Sequence, residues 1–495
     1  MGKEKRCGLD FRNLPAKEYL LLGVIAVLTM LLTTLSSPLY PLNDWVDSNT
    51  FFTMGKAMFN GKVLYRDVFD HKGPILHFLH GVAWLISHKS FFGVWLLEIV
   101  ACYFTLLFSY RILELYTDKK AILMMPAFAV ILYTTSAMAK GDSAEEFCLP
   151  LLMYAVYLIV RSLKEKKDIS PKSLLLLGVT SGIILWIKYT MLGFYLGWVI
   201  VPMFLALKEK NWKYILNMIL YIGAGVLLTT IPVLTYFLVN GALYDLWDVY
   251  FYTNIFHYDP NSTGEYSVAV YAVSALYYVV LPNICVILLL ALGGFWAVAK
   301  RRFVLAAQVA LMLVGGFAVV CSKIIFYPYY ALIFCGFAIF GFIPLYSLIS
   351  GAVAKLDRKL YAGILIVVCL LILPFTYFMG DNTDMLQYQK EDLPQFQFAE
   401  IINQKDDATV LNCGFMDGGF YTASGVVPNV KYFCLMNTKV DEAFEAQKEA
   451  VHSGAVDFVI TKNRKLTTEL YEEVMVSTFS VEGQEHEYTL YQKKD

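Results

Sequence analysis

Residues Asn43–Pro74 read NDWVDSNTFFTMGKAMFNGKVLYRDVFDHKGP, and the stretch holds two patterns in succession. From Asp47 onward, Phe51, Phe52, Gly55, Met58 and Phe59 recur at helical spacing. This predicts a short amphipathic helix along a membrane surface, ended by Gly61. Arg66, Asp67, Asp70, His71 and Lys72 then crowd into seven residues before Gly73-Pro74. Charged groups at a membrane boundary are costly unless paired or functional. A solvated charge run rarely alternates with residues such as Tyr65, Val68 and Phe69. The mixture offers a carboxylate that can take a proton and cations that can hold a phosphate. Asp47 and Ser48, at the head of the helix, read either as its caps or as part of that chemistry.

The membrane is implied by the rest of the chain. Of 495 residues, 58% are hydrophobic and 16% charged, and the mean hydropathy is +0.55. Soluble domains are roughly 45–50% apolar and about 25% charged. There is too little charge to cover a soluble fold of this size, so a polytopic membrane protein is expected. The net charge of -1 argues against a nucleic-acid partner. Apolar runs at 20–38, 91–113, 121–139, 147–163, 172–188, 191–207, 214–239, 278–299, 303–321, 330–350 and 360–379 give about eleven transmembrane helices. The first run is too long for a cleavable signal, and no small-residue cleavage site follows it. Pro74–Ser87 is apolar but only 14 residues long, so it reads as an interfacial or re-entrant helix.

Orientation follows from the basic residues. With the N-terminus (1–19) in the cytoplasm, the inner segments hold 22 Lys and Arg and the outer segments before the tail hold eight. The long first loop (37–90), a short loop at Lys140–Glu146, a loop from Asn240 to Tyr277 and the C-terminal tail (380–495) then lie outside. From Asp381 to Asp495 the chain carries 20 acidic and 10 basic residues, against 21 and 30 in the remainder. An acidic extracytoplasmic domain thus follows a basic membrane domain (20–379). The tail reads as small and α/β: a helix at Leu393–Gln404, strands at Thr409–Asn412 and Lys431–Leu435, a helix at Asp441–His452, a β-rich run at Val456–Thr461 and a closing strand at Tyr488–Tyr491. An exported tail would permit a disulfide between Cys413 and Cys434.

The first outer loop resembles that of GT-C glycosyltransferases, the bacterial protein O-mannosyltransferase-like and aminoarabinose-transferase-like enzymes. Their pattern is an acidic residue after the first span, an aromatic-rich helix, a glycine about fourteen positions on, then Tyr-x-Asp-x-Phe-Asp-His-Lys-x-Pro. Here it is Asp47, Gly61, Tyr65, Asp67, Phe69, Asp70, His71, Lys72 and Pro74. Relatives often carry Asp-Glu where this chain has Asp47-Ser48, which leaves Asp44 as a second candidate. A further family feature is an acidic site at the outer ends of the third and fourth spans. It corresponds to Lys140–Phe147, with Glu146 or Glu145 as a partner of Asp47 for the acceptor or for a divalent metal, and Glu146 favoured because it adjoins the next span. The plain alternative is a solvated loop with acids at a helix N-terminus.

The resemblance covers about residues 20–350, and matches the tail only in position and class. It implies a hexosyl- or pentosyltransferase moving a sugar from a polyprenyl-phosphate donor to a glycan, lipid or protein acceptor outside the plasma membrane. Asp47 would be the general base, Arg66, Lys72 and Lys188 would hold the phosphate, and Asp70 and His71 would orient them. Lys188 reads otherwise as a snorkelling lysine. Lys323–Tyr330 (KIIFYPYY) resembles the aromatic motif that relatives carry before a late span, which makes Tyr327 a substrate-binding candidate, and reads otherwise as an interfacial aromatic belt. Glu98, inside the second span, is either a structural acid or faces the lipid groove. His77 and His80 lack a third ligand at zinc spacing, and His257 and Asp259 fall in a loop that could act as a lid. No nucleophile elbow, Walker A loop or GxGxxG is present. The rival classes are a transporter or flippase of lipid-linked glycans and a non-catalytic envelope scaffold.

Overall fold

The computed structural model describes residues 6–8, 15–257, 268–320, 327–436, 440–481 and 484–494. Among them, nine helical stretches are long and apolar enough to cross a membrane. In order, the first helices are α1 (Ala16–Thr33), α2 (Val46–Phe59), α3 (Pro74–Ile86), α4 (Phe92–Glu114), α5 (Met125–Tyr133), α6 (Ala144–Glu165), α7 (Pro171–Lys188), α8 (Gly193–Lys208) and α9 (Trp212–Val239). Four more spans follow, at Val273–Ala299, Phe303–Val320, Pro328–Ala354 and Arg358–Met379. The count of nine takes Pro171–Lys208 as one stretch. The Tyr195 hydroxyl nevertheless meets Thr180 Oγ1 at 3.4 Å. Fifteen residues of straight helix would hold them roughly 22 Å apart, so α7 and α8 double back as two spans. The apolar run at 121–139 is broken: a 3-10 turn at Lys119–Met124 leads into α5, which alone is short of a span.

The described residues group into two compact units. The first comprises 1–34, 97–232 and 266–383 and holds most of the spans. Within it, 78% of the α6 span is buried against 11% of α9, so α6 is central and α9 turns its leucines to lipid. Small residues bring spans close where no hydrophobic effect drives them together. A Cβ on Gly197 of α8 would collide with the Leu311 carbonyl of Phe303–Val320.

The second unit comprises 35–96, 233–265 and 384–495, so the first outer loop and the tail fold together. The expected surface helix is here, as α2, but Asp47 to Ala57 are buried on every side. This corrects the amphipathic reading. One flank lies against α3, so closely that a Cβ on Gly55 would strike the backbone at Gly81. Another flank is covered by the tail. Thr422 Oγ1 donates to Asn49 Oδ1 (2.9 Å), Thr53 Oγ1 to Asp417 Oδ2 (2.7 Å), and Lys56 Nζ to the Tyr421 carbonyl (2.6 Å). Asn49, Thr53 and Lys56 of α2 are thus satisfied by protein. Gly61, at φ +84°, ends the helix as expected. The α3 helix is 13 residues long, too short to span.

The tail carries a four-stranded sheet, β1 (Val410–Asn412), β2 (Phe458–Lys462), β3 (Tyr471–Val481) and β4 (Gln484–Lys493), in the order β1-β2-β4-β3. The β1–β2 pair is parallel, with Leu411 opposite Val459, and the helix Asp441–His452 makes the crossover. The other two pairs are antiparallel. Leu411, Val451, Val456, Val459 and Tyr491 form the core. One expectation is corrected, one strand is new, and one open question is answered. Lys431–Leu435 is no strand: the Phe69 amide takes the Lys431 carbonyl, Gln447 Nε2 that of Tyr432, and the Asn412 amide and Tyr421 hydroxyl that of Phe433, so no ladder forms. The long edge strand β3 was not expected, because its exposed Glu472 and Glu473 hide the alternation. Cys413 and Cys434 are free thiols. Arg464 Nη2 donates to Cys413 Sγ at 2.8 Å, and Cys434 Sγ points to Met436 Sδ.

Candidate active site

Asp47 is the second residue of α2, where the helix dipole favours a carboxylate. Neither Asp47 nor Ser48 caps the helix. The cap position is Trp45, with no side-chain cap, and Asn43 Oδ1 accepts from the Trp45 amide at 3.0 Å. The Asp47 side chain is 10% exposed and lies 3.8 Å from Lys72 Nζ, itself 11% exposed. A tight turn delivers Lys72. Tyr65 sits at φ +70°, its amide donates to the Val68 carbonyl (2.8 Å), and its hydroxyl donates to the Lys72 carbonyl (2.6 Å). The Tyr65 ring stacks on Phe237 at 5.4 Å. A bulky residue at positive φ is strained and persists only where its surroundings hold it. Here the hydroxyl bond and the stack do so.

Behind this pair lies a chain of polar groups. Lys72 Nζ is 3.3 Å from His71 Nε2. An ammonium only donates, so Nε2 accepts and the imidazole proton sits on Nδ1, which lies 3.5 Å from Asp70 Oδ1. Asp70 is fully buried and accepts from the His71 amide at 2.8 Å. His77 Nε2 is 3.3 Å from Asp70 Oδ2, at ion-pair distance but off hydrogen-bond alignment. Burial pushes the Asp70 carboxyl up to about 6, against the pull of Lys72 and with the Asp47 charge adding to the rise. Burial also holds His77 down at about 3, with His80 and Lys72 contributing. His80 Nδ1 lies 2.8 Å from the Leu76 carbonyl, so that ring is spent on structure.

Arg66 is turned the other way. It is 45% exposed, pairs with Asp67 at 2.8 Å and donates to the Asn240 carbonyl at 2.8 Å. Asp44 lies near Tyr488 of β4, whose hydroxyl is raised to about 12 by burial and then by the Asp44 charge.

The remaining candidates belong to the first unit. Glu145 and Glu146 open α6 and are buried, but they face different partners. Glu146 Oε2 accepts from the Asp142 amide (2.9 Å), which also donates to Glu98 Oε1 (2.8 Å), and Thr34 Oγ1 donates to the same Glu98 oxygen (2.7 Å). Glu98 is therefore the structural acid of the two readings. Glu146 joins it in holding the Gly141–Ser143 turn, where Asp142 sits at φ +62°. Glu145 instead pairs with Lys188 Nζ at 2.5 Å. That ammonium also lies 4.0 Å from the Tyr330 ring centroid and 5.6 Å from that of Tyr329. Tyr327 stacks on Tyr329 at 5.4 Å. The two weakest sequence signals, Lys188 and the aromatic motif, thus meet at one place. Lys323–Phe326 and Asp259 lie outside the described residues, as does the His257 side chain. Asp47 and Glu146 belong to different units. Among the described residues no three His, Cys, Asp or Glu side chains converge to hold a metal.

Sequence reasoning missed Lys56 and Asp417. Both are fully buried. Burial lowers the Lys56 ammonium and raises the Asp417 carboxyl, each opposed by the charge of the other. Their only signals were a lysine amid the apolar positions of α2 and a Gly-rich turn at Gly414–Gly419.

Residues 71–236 match a family model described as dolichyl-phosphate-mannose-protein mannosyltransferase, from the His71-Lys72 pair to near the end of α9. The chain is similar in structure to ArnT from Cupriavidus metallidurans bound to undecaprenyl phosphate, with a TM-score of 0.63 at 11% identity over 96% of this chain and 98% of that one. The apo form of the same protein gives 0.61, again at 11% identity over 96% and 98%. The fold is that of a GT-C glycosyltransferase. The GT-C resemblance read from the first outer loop is borne out by the matched segment and by the fold. No curated protein sequence matches this chain.

Proposed function

We propose that this protein moves a sugar from a polyprenyl-phosphate donor to an acceptor outside the membrane, by a single displacement with inversion. The observation that carries the reading is the Asp47–Lys72 pair, a carboxylate and an ammonium held 3.8 Å apart in a site about one-tenth exposed. The match to a dolichyl-phosphate-dependent family and the fold shared with an undecaprenyl-phosphate-bound protein support a lipid-linked donor. Lys72 binds the donor phosphate and stabilises it as the leaving group. As it turns to the phosphate it releases Asp47, which takes the proton of the acceptor hydroxyl. Asp70 and His71 hold Lys72 in place. Arg66, tied to Asp67, fixes the loop. Lys188, paired with Glu145 beside Tyr330, is a second cation of a kind that binds phosphate. The acceptor is a cell-envelope glycan, lipid or protein.

The test is purified protein in lipid nanodiscs, incubated with a panel of polyprenyl-phosphate sugars and envelope acceptors. Wild type should release polyprenyl phosphate and label an acceptor. Asp47→Asn should fold yet lose about 10²–10⁴ in rate. Lipid movement without glycosyl transfer would favour the flippase class, and neither activity the scaffold.

A further inference from the structure

We propose that a cavity at the end of α6 remote from Glu145 binds the phosphate of an anionic membrane lipid. The cavity has a volume of about 550 Å³, and its lining includes Tyr116, Leu163, Lys164, Arg301, Arg302 and Phe303. Lys164 lies nineteen residues after Glu145 on α6, roughly 29 Å along the helix. It therefore stands at the opposite membrane face from Glu145 and Lys188. The inference is independent of the transfer reaction.

The charges around this cavity are unbalanced. Five lysines and arginines line it against two acids, Asp168 and Glu209. The Arg302 guanidinium is 4.6 Å from the Tyr116 ring centroid, and Lys164 Nζ is 5.3 Å from the same ring. Two cations thus share one aromatic ring. The acids that act on Lys164 are each paired with another cation, in one case with Lys167 of the lining. Glu114 pairs with Arg111 at 2.8 Å, and Glu165 with Arg161 at 2.7 Å and Lys167 at 2.9 Å. Asp168 accepts from Asn211 Nδ2 at 2.9 Å. Like charges gathered this way repel unless an anion joins them. The anion should be amphiphilic, because the same cavity is walled by Leu163 and Phe303 of the neighbouring spans. A phosphodiester headgroup would sit between Lys164 and Arg302, with its acyl chains along that wall.

The test uses the delipidated full-length protein in detergent, titrated with phosphatidylglycerol, phosphatidylcholine or inorganic phosphate and read by native mass spectrometry and melting temperature. Phosphatidylglycerol should bind at least tenfold more tightly than phosphatidylcholine, and inorganic phosphate alone should not reproduce its effect. Lys164→Gln with Arg302→Gln should lose at least fivefold of that affinity, while Lys355→Gln, an exposed cation outside the cavity, keeps it. If the double variant fails to fold, Arg301→Gln supplies the same comparison. Equal binding of the two lipids, an unchanged affinity in the cavity variants, or full effect from inorganic phosphate would each overturn the proposal.

Discussion

Lys72 Nζ lies 3.8 Å from Asp47 Oδ2, although 25 residues separate them in the chain. Lysine is drawn away from the nearer acids, Asp67 and Asp70: Arg66 occupies the first, and the second is buried behind His71. This pair joins the start of α2 to the residue just before α3, and it leaves a carboxylate and a cation together at a partly open position.

Replacing Lys72 tests the phosphate role. With Lys72→Ala, donor saturation should weaken roughly 10- to 100-fold, the effect of losing a charged hydrogen bond of about 1.5–3 kcal/mol, while Lys72→Arg should recover part of it. Steady-state kinetics against donor and acceptor separately provide the measurement. A stable Lys72→Ala protein with unchanged donor saturation removes Lys72 from the phosphate site.

The raised Asp70 carboxyl makes stability depend on pH. Its folded value is about 6 against an ordinary 3.8, so the native state holds the proton more tightly than the unfolded chain. Stability is therefore highest below pH 4 for this group and declines as pH rises toward 6, by up to about 3 kcal/mol. Asp70→Asn retains the acceptor for the His71 amide but cannot ionise. Its melting temperature should change less than that of wild type between pH 4 and 7. Parallel curves would show that Asp70 ionises at its ordinary value.

The Asp417 carboxylate should hold the tail to α2. Asp417→Ala strands Lys56, Thr53 and the Gly419 amide, and removing one partner of a buried ionic set costs about 3–5 kcal/mol. Adding Lys56→Met to it should cost less than the two single losses together. Melting in detergent and protease release of residues beyond Asp384 both read the effect. Strict additivity would show that Lys56 and Asp417 act independently.

Orientation is tested by tags. A tag after Asp495 should be cut by protease added outside spheroplasts, and one before Gly2 should be protected. The reverse pattern would place Asp47 in the cytoplasm and remove the lipid-linked donor from the reading.

Much of the fold was legible because its determinants are local. Spans follow from unbroken apolar runs, and α3 follows from a run too short to cross. The end of α2 follows from Gly61, which adopts a conformation that other residues avoid. The spacing from Asp47 to Pro74 was enough to indicate the GT-C fold. Tertiary structure decided where each polar group on these elements turns. From the sequence, α2 read as a surface helix because Phe51, Phe52, Gly55, Met58 and Phe59 recur on one face, yet the tail, some 360 residues later, covers Asn49, Thr53 and Lys56 as well. Glu145 and Glu146 are adjacent and alike in sequence. Each residue step along a helix rotates the side chain by about 100°, so one meets Lys188 and the other the Asp142 amide. The reason is the same in each case. Hydrophobic periodicity is written along the chain, whereas a buried charge is tolerated only beside its partner, and that partner is chosen by the packing of distant segments.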